Sequence, residues 1–216
     1  MLISAILPTR GRPHFAHRAL DCALRQTAGD YVLEIHILDD LDAPSFFNAP
    51  DFNGVHYHIS ERRMSIGEKR NRLCELASGD IIAHFDDDDY SAPGRISDQL
   101  ERLMSSGAML TGYNEMVFEC DDGACWLHSG DKDYAIGTSM MYRREFWKAN
   151  LFPAGAGRPV DFVGEDTVFL AAARRIHSVA AAPAGEMMLA RIHGGNTATK
   201  KPVAGPRWKR IERKAA

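Results

Sequence analysis

The 216-residue chain has only four cysteines, and no apolar run approaches the roughly 18 residues needed to span a bilayer. None of the four (Cys22, Cys74, Cys120, Cys125) makes a CxxC pair, which excludes a disulfide framework. Cys120 and Cys125 flank Asp121-Asp122-Gly123-Ala124, a turn signal, so they can face each other across a hairpin or stand as reduced thiols. Internal repeats and low-complexity stretches are missing. A composition 45% hydrophobic and 25% charged excludes disordered and collagen-like chains. The opening residues, Met1 to Pro8, lack the basic region, apolar stretch and cleavage site of a signal peptide, so the expected compartment is the cytoplasm.

Positive charge is also scarce, except at one end. Residues 1–199 carry 19 basic against 28 acidic side chains, a net charge of −9. From Lys200 onward seven Lys or Arg stand against a single acid, Glu212. The expected organisation is one domain over residues 1–199 and a basic tail over 200–216. That tail, with Trp208 among its charges, reads as a solvated end or as a peripheral contact with anionic lipid at the inner face of a membrane. The acidic body argues against nucleic acid as a partner. It leaves phosphate ligands open, provided a cation stands between.

The elements alternate. Leu2–Leu7 reads as a short buried strand, and Val32–Leu38, Val55–Ile59 and Asp80–Phe85 as three more strands. Pro13 opens a helix reaching about Gln26, and Ser65-Ile66-Gly67-Glu68 has the capping-box spacing for a second, with Gly79 as its stop. A further helix follows Pro93. This order predicts an α/β fold with a mostly parallel sheet covered on both faces, where ligands bind beyond the carboxyl ends of the strands.

Those ends are chemically loaded. The first strand ends in Pro8-Thr9-Arg10-Gly11-Arg12, the second in Asp39-Asp40, and the fourth in Asp86-Asp87-Asp88-Asp89. Four adjacent carboxylates repel one another, and a hard divalent ion is the natural counterion. A solvated turn, or a cap from Asp89 or Ser91 on the next helix, is the plainer use of such a run. Glu165-Asp166 opens a predicted helix ending near Arg174-Arg175, where acids also complement the helix dipole. His193 leaves a short strand into Gly194-Gly195, as a metal ligand or as a turn residue.

The ordered set of motifs resembles the family 2 glycosyltransferases with a GT-A fold, over about residues 2 to 200. Ile6-Leu7-Pro8-Thr9-Arg10 is similar to the family's opening strand and nucleotide-contacting turn. Ile37-Leu38-Asp39-Asp40 is similar to the second strand, and Gly67-Glu68-Lys69-Arg70-Asn71 with Ala77 to Ile82 to the stretch before the metal-binding strand. Phe85-Asp86-Asp87-Asp88-Asp89-Tyr90 resembles the DxD motif, and Gly137 to Arg144 the acceptor-side strand. Gly164-Glu165-Asp166 resembles the ED motif that carries the base, and His193 to Thr197 the late His motif. An all-Asp DDDD with GEDT points to a bacterial subgroup. One departure stands out: Asp39-Asp40 runs into Leu41-Asp42, where the family has a Gly or Asn before Ser.

The resemblance implies a GT-A fold: a Rossmann-like, mostly parallel central sheet with helices on both faces and a small mixed acceptor-side part. It implies an inverting hexosyltransferase that moves a sugar from a nucleotide-diphosphate sugar, with UDP-sugars favoured. Bacterial glycan or cell-surface polysaccharide synthesis is the implied setting. The cofactor would be Mn²⁺ or Mg²⁺ on Asp88 and Asp86, with His193 completing the shell and leaning towards Mn²⁺. Pro8, Thr9, Arg10, Arg12, Asp39, Asp40, Arg70, Asp86 and Asp87 would bind the donor. Asp166 would be the general base and Glu165 its orienting partner. The acceptor, a glycan, a lipid-linked sugar or a small molecule, would meet aromatics among Trp126, Tyr134, Tyr142, Phe146, Trp147 and Phe152, which core packing also explains. Gly155 to Pro159 has the composition of a closing loop. A sugar-phosphate nucleotidyltransferase would share the acidic motif, but it normally has more glycine after the first strand. A non-catalytic nucleotide-binding module would not need DDDD, ED and His together.

Overall fold

A computed structural model describes residues 1–27, 29–40, 54–154, 164–196 and 201–212. Its first half holds β1 (Leu2–Thr9), α1 (Pro13–Leu24), β2 (Val32–Asp39), β3 (Val55–Ile59), α2 (Ile66–Leu76), β4 (Ile81–His84), β5 (Tyr90–Ser91) and α3 (Arg95–Ser106). The second half holds β6 (Leu110–Cys120), β7 (Cys125–Ser129), β8 (Met141–Arg143), α4 (Arg144–Ala149), α5 (Glu165–Arg175), β9 (Val179–Pro183), β10 (Met188–Ile192) and β11 (Trp208–Ile211). The Leu41-Asp42 turn and the Gly155 to Pro159 loop lie outside the described residues.

The strands form one sheet in the order β11-β7-β6-β8-β4-β1-β2-β3, with β9 and β10 joined to β6 and β5 joined to β10. From β4 to β3 the pairs are parallel. From β4 through β8, β6 and β7 to β11 they are antiparallel. The sheet is thus mixed, and the parallel half is the part the sequence predicts. Alternation along β1 sends Ile3, Ala5 and Leu7 to one face and Ile6 to the other. The first set packs with Ala19 and Leu20 of α1 and with Ile96 and Leu103 of α3. Ile6 packs with Leu73 of α2 and with Phe169 and Leu170 of α5. Both faces are therefore covered, as buried parallel strands require.

Register positions the site. β1 pairs with β4 so that Ile6 lies beside His84, and three residues further on Thr9 reaches Asp87. β1 also pairs Thr9 with Asp39 of β2. The capping box of α2 forms in full: Ser65 accepts from the Glu68 amide, and Glu68 accepts from the Ser65 amide. Two local expectations change. Helix α2 ends at Leu76 with Ala77 as its cap, before Gly79 is reached. Helix α3 is preceded by Gly94 and has no side-chain cap, so neither Asp89 nor Ser91 serves there. Cys120 and Cys125 do flank the β6–β7 hairpin, both as free thiols.

The segment read as a basic tail contributes a strand. β11 pairs antiparallel with β7, matching Trp208 to His128 and Ile211 to Cys125. The Trp208 ring lies 5.0 Å from Phe118 and 4.7 Å from His128, both edge-on. Apolar contact for one aromatic is enough to bring the charged segment down, while Lys209 and Arg210 stay exposed. Trp208→Ala is expected to lower stability by about 1–2 kcal/mol in urea melts. A free tail would give no change.

Candidate active site

The carboxyl ends of β1 and β4 open on a cleft of about 280 Å³. Pro8 and Arg12 line it, and Asp86 to Asp89 form part of its wall. Asp87 turns inward and is buried: it accepts from Thr9 Oγ1 at 2.8 Å and from Arg12 Nε at 3.0 Å and Nη2 at 2.5 Å. Burial and the neighbouring Asp88 push Asp87 up to about 7, although Arg12 works against them. Arg12 also gives Nη1 to Asp88 Oδ2 at 3.1 Å and to the Gly195 carbonyl at 3.0 Å. Asp89 accepts the Arg191 amide at 2.9 Å, and burial with Asp88 and Asp86 raises it to about 8.

Arg70 ties the two acidic motifs together. Its guanidinium, 3% exposed as a residue, donates Nη2 to Asp86 at 3.1 Å and Nη1 to Glu165. Burial opposes its charge, but Asp86, Glu165 and Asp166 outweigh that and raise its pKa. Arg70 lines the cleft as expected, yet both ends of its fork are held by carboxylates. Glu165 is itself raised, mainly by burial, with Arg70 pulling the other way.

The late motif closes on the same point. Asp88 Oδ2 is 3.1 Å from His193 Nε2 and takes the Asn196 side-chain amide at 3.1 Å. His193 Nδ1 accepts the Gly195 amide at 3.0 Å, so Nε2 carries the ring proton and donates to Asp88. Phe15 stacks on the His193 ring at 4.7 Å. Thr197 lies outside the described residues.

Asp39 and Asp40 stand at the end of β2 but are buried and do not line the cleft. Asp39 accepts from Tyr57 at 3.1 Å. Asp40 accepts the Met64 amide at 2.7 Å and pairs with Lys69 Nζ at 2.5 Å. The same Nζ donates to the Thr9 carbonyl at 2.7 Å, so Lys69 braces the turn that carries Arg10 and Arg12. Arg10 is half-exposed, 3.9 Å from Asp40, and is not part of the cleft lining.

Asp166 also lines the cleft, and its Oδ1 is taken by the Thr167 amide at 2.7 Å. Its Oδ2 lies over Gly137: a Cβ there would come 2.0 Å from that oxygen. Gly137 is held in place by His84, whose Nδ1–H donates to its carbonyl at 2.8 Å. Gly164, at φ 96°, starts α5 in the left-handed region that favours glycine. Beyond Asp166 the wall becomes aromatic, with Tyr134, His128, Phe118 and Trp208. Of the aromatics expected at the acceptor, Tyr142, Phe146, Trp147 and Phe152 are core, and Trp126 does not line the cleft. Only Tyr134 does. Lys69, Asn196, His128 and Trp208 are the site residues that sequence reasoning missed. Spacing could not reveal them, because each meets its partners through tertiary contact; Lys69 and Asn196 lay inside recognised motifs, while His128 and Trp208 offered no signal.

Four carboxyls in one turn, two of them raised, form an oxygen-rich set suited to a hard divalent ion. Asp88 and His193, 3.1 Å apart, have about the spacing of adjacent ligands on an octahedral ion with bonds near 2.1 Å. The residues therefore fit Mn²⁺ or Mg²⁺ with few protein ligands, water and phosphate completing the shell.

Gly137→Ala forces the Asp166 carboxylate aside. Turnover is expected to fall about 100-fold while the melting temperature changes little. Steady-state rates beside a thermal melt check this.

Residues 4–159 match the family model for glycosyl transferase family 2. WcaA of Escherichia coli (strain K12), whose name connects it with colanic acid biosynthesis and glycosyl transfer, is 32% identical over 104 residues. That match spans 44% of this chain and 36% of WcaA, so the likeness covers about a third of that relative. The S. aureus TarS 1–349 structure in complex with UDP-GlcNAc matches with a TM-score of 0.73 at 16% identity, over 91% of this chain and 60% of that one. The mannosyltransferase PcManGT from Pyrobaculum calidifontis, in complex with GDP-Man and Mn²⁺, matches with a TM-score of 0.58 at 14% identity, over 88% and 56%. At such identities the structural likeness establishes the GT-A fold, and the family match extends over most of the chain. The protein belongs to glycosyl transferase family 2.

Proposed function

We propose that this glycosyltransferase moves a hexose from a nucleotide-diphosphate sugar, with UDP-sugars favoured, to an acceptor hydroxyl with inversion at C1. The observation that carries the reading is Arg70, which holds Asp86 of the acidic run and Glu165 of the ED pair to one guanidinium. That contact brings a phosphate-side cluster and a carboxylate base to the same cleft. The donors bound in TarS and PcManGT support a nucleotide-sugar ligand here.

Asp88 and Asp86 would hold the divalent cation, and His193 would join them as the Nδ1–H tautomer once the Gly195 amide turns away from Nδ1. A cation bound there supplies Lewis-acid stabilisation of the charge that develops on the departing diphosphate. Arg12, already at Asp87 and Asp88, is the side chain placed to meet phosphate oxygens. Thr9 and Lys69 fix the turn on which Arg12 sits; Pro8 forms the adjoining wall.

Asp166 has one oxygen committed to Thr167 and one over the cleft, so Oδ2 is the proton acceptor. As the acceptor oxygen bonds to C1, its proton passes to Oδ2 and the C1–O bond to the diphosphate breaks. Attack from the face opposite the leaving group inverts C1. Glu165, spent on Arg70, acts by positioning. Trp208, Tyr134, His128 and Phe118 offer stacking faces to an acceptor sugar, whether glycan, lipid-linked or small-molecule. No described helix is long and apolar enough to cross a membrane. The reading places the enzyme at the cytoplasmic side in bacterial surface-glycan synthesis, with Lys209 and Arg210 of β11 free to meet anionic headgroups.

Nucleotide diphosphates and sugar nucleotides, each with and without Mn²⁺, are expected to raise the melting temperature in a metal-dependent way. A folded protein that responds to none of them overturns the reading. Asp166→Asn is expected to keep the donor-induced shift and to lose about 10²–10⁴-fold in transfer. Transfer at a near wild-type rate would remove Asp166 from the role.

A further inference from the structure

Away from the cleft, the amino half of β2 and the edge strand β3 share a cluster that the transferase chemistry does not use. Glu34 stands five residues before Asp39, about 16 Å of strand from the loaded end. The β2–β3 register puts His36 opposite His56 and Leu38 opposite His58, so the three histidines and Glu34 project from one face. The His36 ring stacks on His56 at 4.7 Å and on His58 at 5.5 Å.

The polar atoms in this cluster are poorly matched as they stand. His36 Nδ1 lies 3.2 Å from His58 Nε2, a hydrogen bond that uses one side of the ring. Nε2 of His36 is buried, and its one described partner is the Glu34 carboxylate. It faces the Glu34 carboxylate, 3.2 Å from Oε1. Oε1 is already held by the Ser4 hydroxyl at 2.6 Å, the Ser78 amide at 2.6 Å and the Gly79 amide at 3.2 Å. Those bonds anchor the carboxylate and leave Oε2 for another partner. One oxygen of Glu34 and one ring nitrogen each of His36 and His56 all lie within 4.8 Å of one another.

We propose that Glu34, His36 and His56 form a second metal site, for a borderline divalent ion of the Zn²⁺ class and distinct from the cation site of the cleft. Two imidazoles and one carboxylate select such ions over Mg²⁺. The three ligand atoms lie within 4.8 Å of one another, and a tetrahedral ion with bonds of about 2.0–2.1 Å, whose ligands stand about 3.3 Å apart, would draw them together. His56 is exposed, so its ring can turn inward to close the set, and the ion enters from that side. With its proton on Nδ1, His36 donates to His58, which fixes the ring with Nε2 towards the ion. Ser4, Ser78 and Gly79 orient the carboxylate in the same way. Arg72 and Arg144 lie within electrostatic range of the histidines but are engaged elsewhere, Arg72 with Glu75 and Arg144 with the Cys74 carbonyl. A bound ion would pin the edge strand β3 to β2 and to the turn before β4.

Zn²⁺ titrated calorimetrically into the whole chain, with excess Mg²⁺ to fill the cleft, is expected to show an equivalent that persists in Asp88→Asn. His56→Ala and Glu34→Gln are each expected to weaken that equivalent at least tenfold. His56→Ala changes an exposed side chain, so its melting temperature without Zn²⁺ should equal the wild type, and its sugar transfer should be unaltered. Co²⁺ in place of Zn²⁺ should give tetrahedral visible bands that His56→Ala abolishes. The proposal is overturned if wild type binds no Zn²⁺ under these conditions. Binding lost in Asp88→Asn but kept in both edge variants overturns it equally, because the ion then belongs to the cleft.

Discussion

A single buried guanidinium decides how this cleft is assembled. Arg70 is surrounded by Asp86 from the end of β4 and Glu165 from the start of α5, two segments 79 residues apart in the chain. Burying one charge is costly, and the cost is offset only when its partners are fully engaged. Removing either carboxylate would leave the arginine half-matched, and removing the arginine would leave Glu165 without its cation. The contact therefore acts as a geometric constraint more than as a source of stability. It fixes the distance between the acids that face the diphosphate and the acid that faces the acceptor. Helix α2 carries Arg70 into place, and its capping box and its close packing against Pro153 set the phase from which the side chain projects.

The acid excess of the body looks different once partners are counted in space. Asp40 has Lys69, Asp87 has Arg12, Asp88 has Arg12 with His193 and Asn196, and Asp86 with Glu165 has Arg70. Much of the negative charge is thus answered by the protein's own cations. Within the Asp86 to Asp89 turn, Asp87 and Asp89 are raised because burial and their neighbours outweigh the help they receive. A divalent ion would relieve that crowding of carboxyls.

Local signals made much of the parallel half legible. An apolar run marked β1, segments alternating with Glu34, His36, His56 and His58 marked β2 and β3, and Ser65 with Glu68 marked the start of α2. The acidic run at the end of a buried strand pointed to the cleft because parallel strands present their carboxyl ends together. The half beyond β4 was harder to read: apart from the long β6 its strands are short, β9 and β10 join β6 in parallel, and the pairing depends on tertiary contact. Trp208 shows the limit most clearly. Surrounded by Lys and Arg, it reads as part of a solvated end, and only the proximity of Phe118 and His128 turns it into a strand and a cleft wall. The Glu34–His36 and His56–His58 alternations were visible as a period of two, but the β2–β3 register was needed to show that they share a face.

Glu165 and Asp166 are neighbours with the same chemistry and different fates. Successive residues on a helix project about 100° apart, so one residue can be sealed against Arg70 while the next looks into the cleft. Gly164, in the left-handed region, sets where the helix begins and hence which acid is which. The buried member is raised by its surroundings and spends its charge on Arg70; the other keeps one oxygen on Thr167 and offers the second over Gly137. Pairs of acids whose environments pull them apart are how one site separates holding from proton transfer. Here the separation is produced by helix phase and by a glycine floor, so the roles could not be exchanged without moving the start of α5.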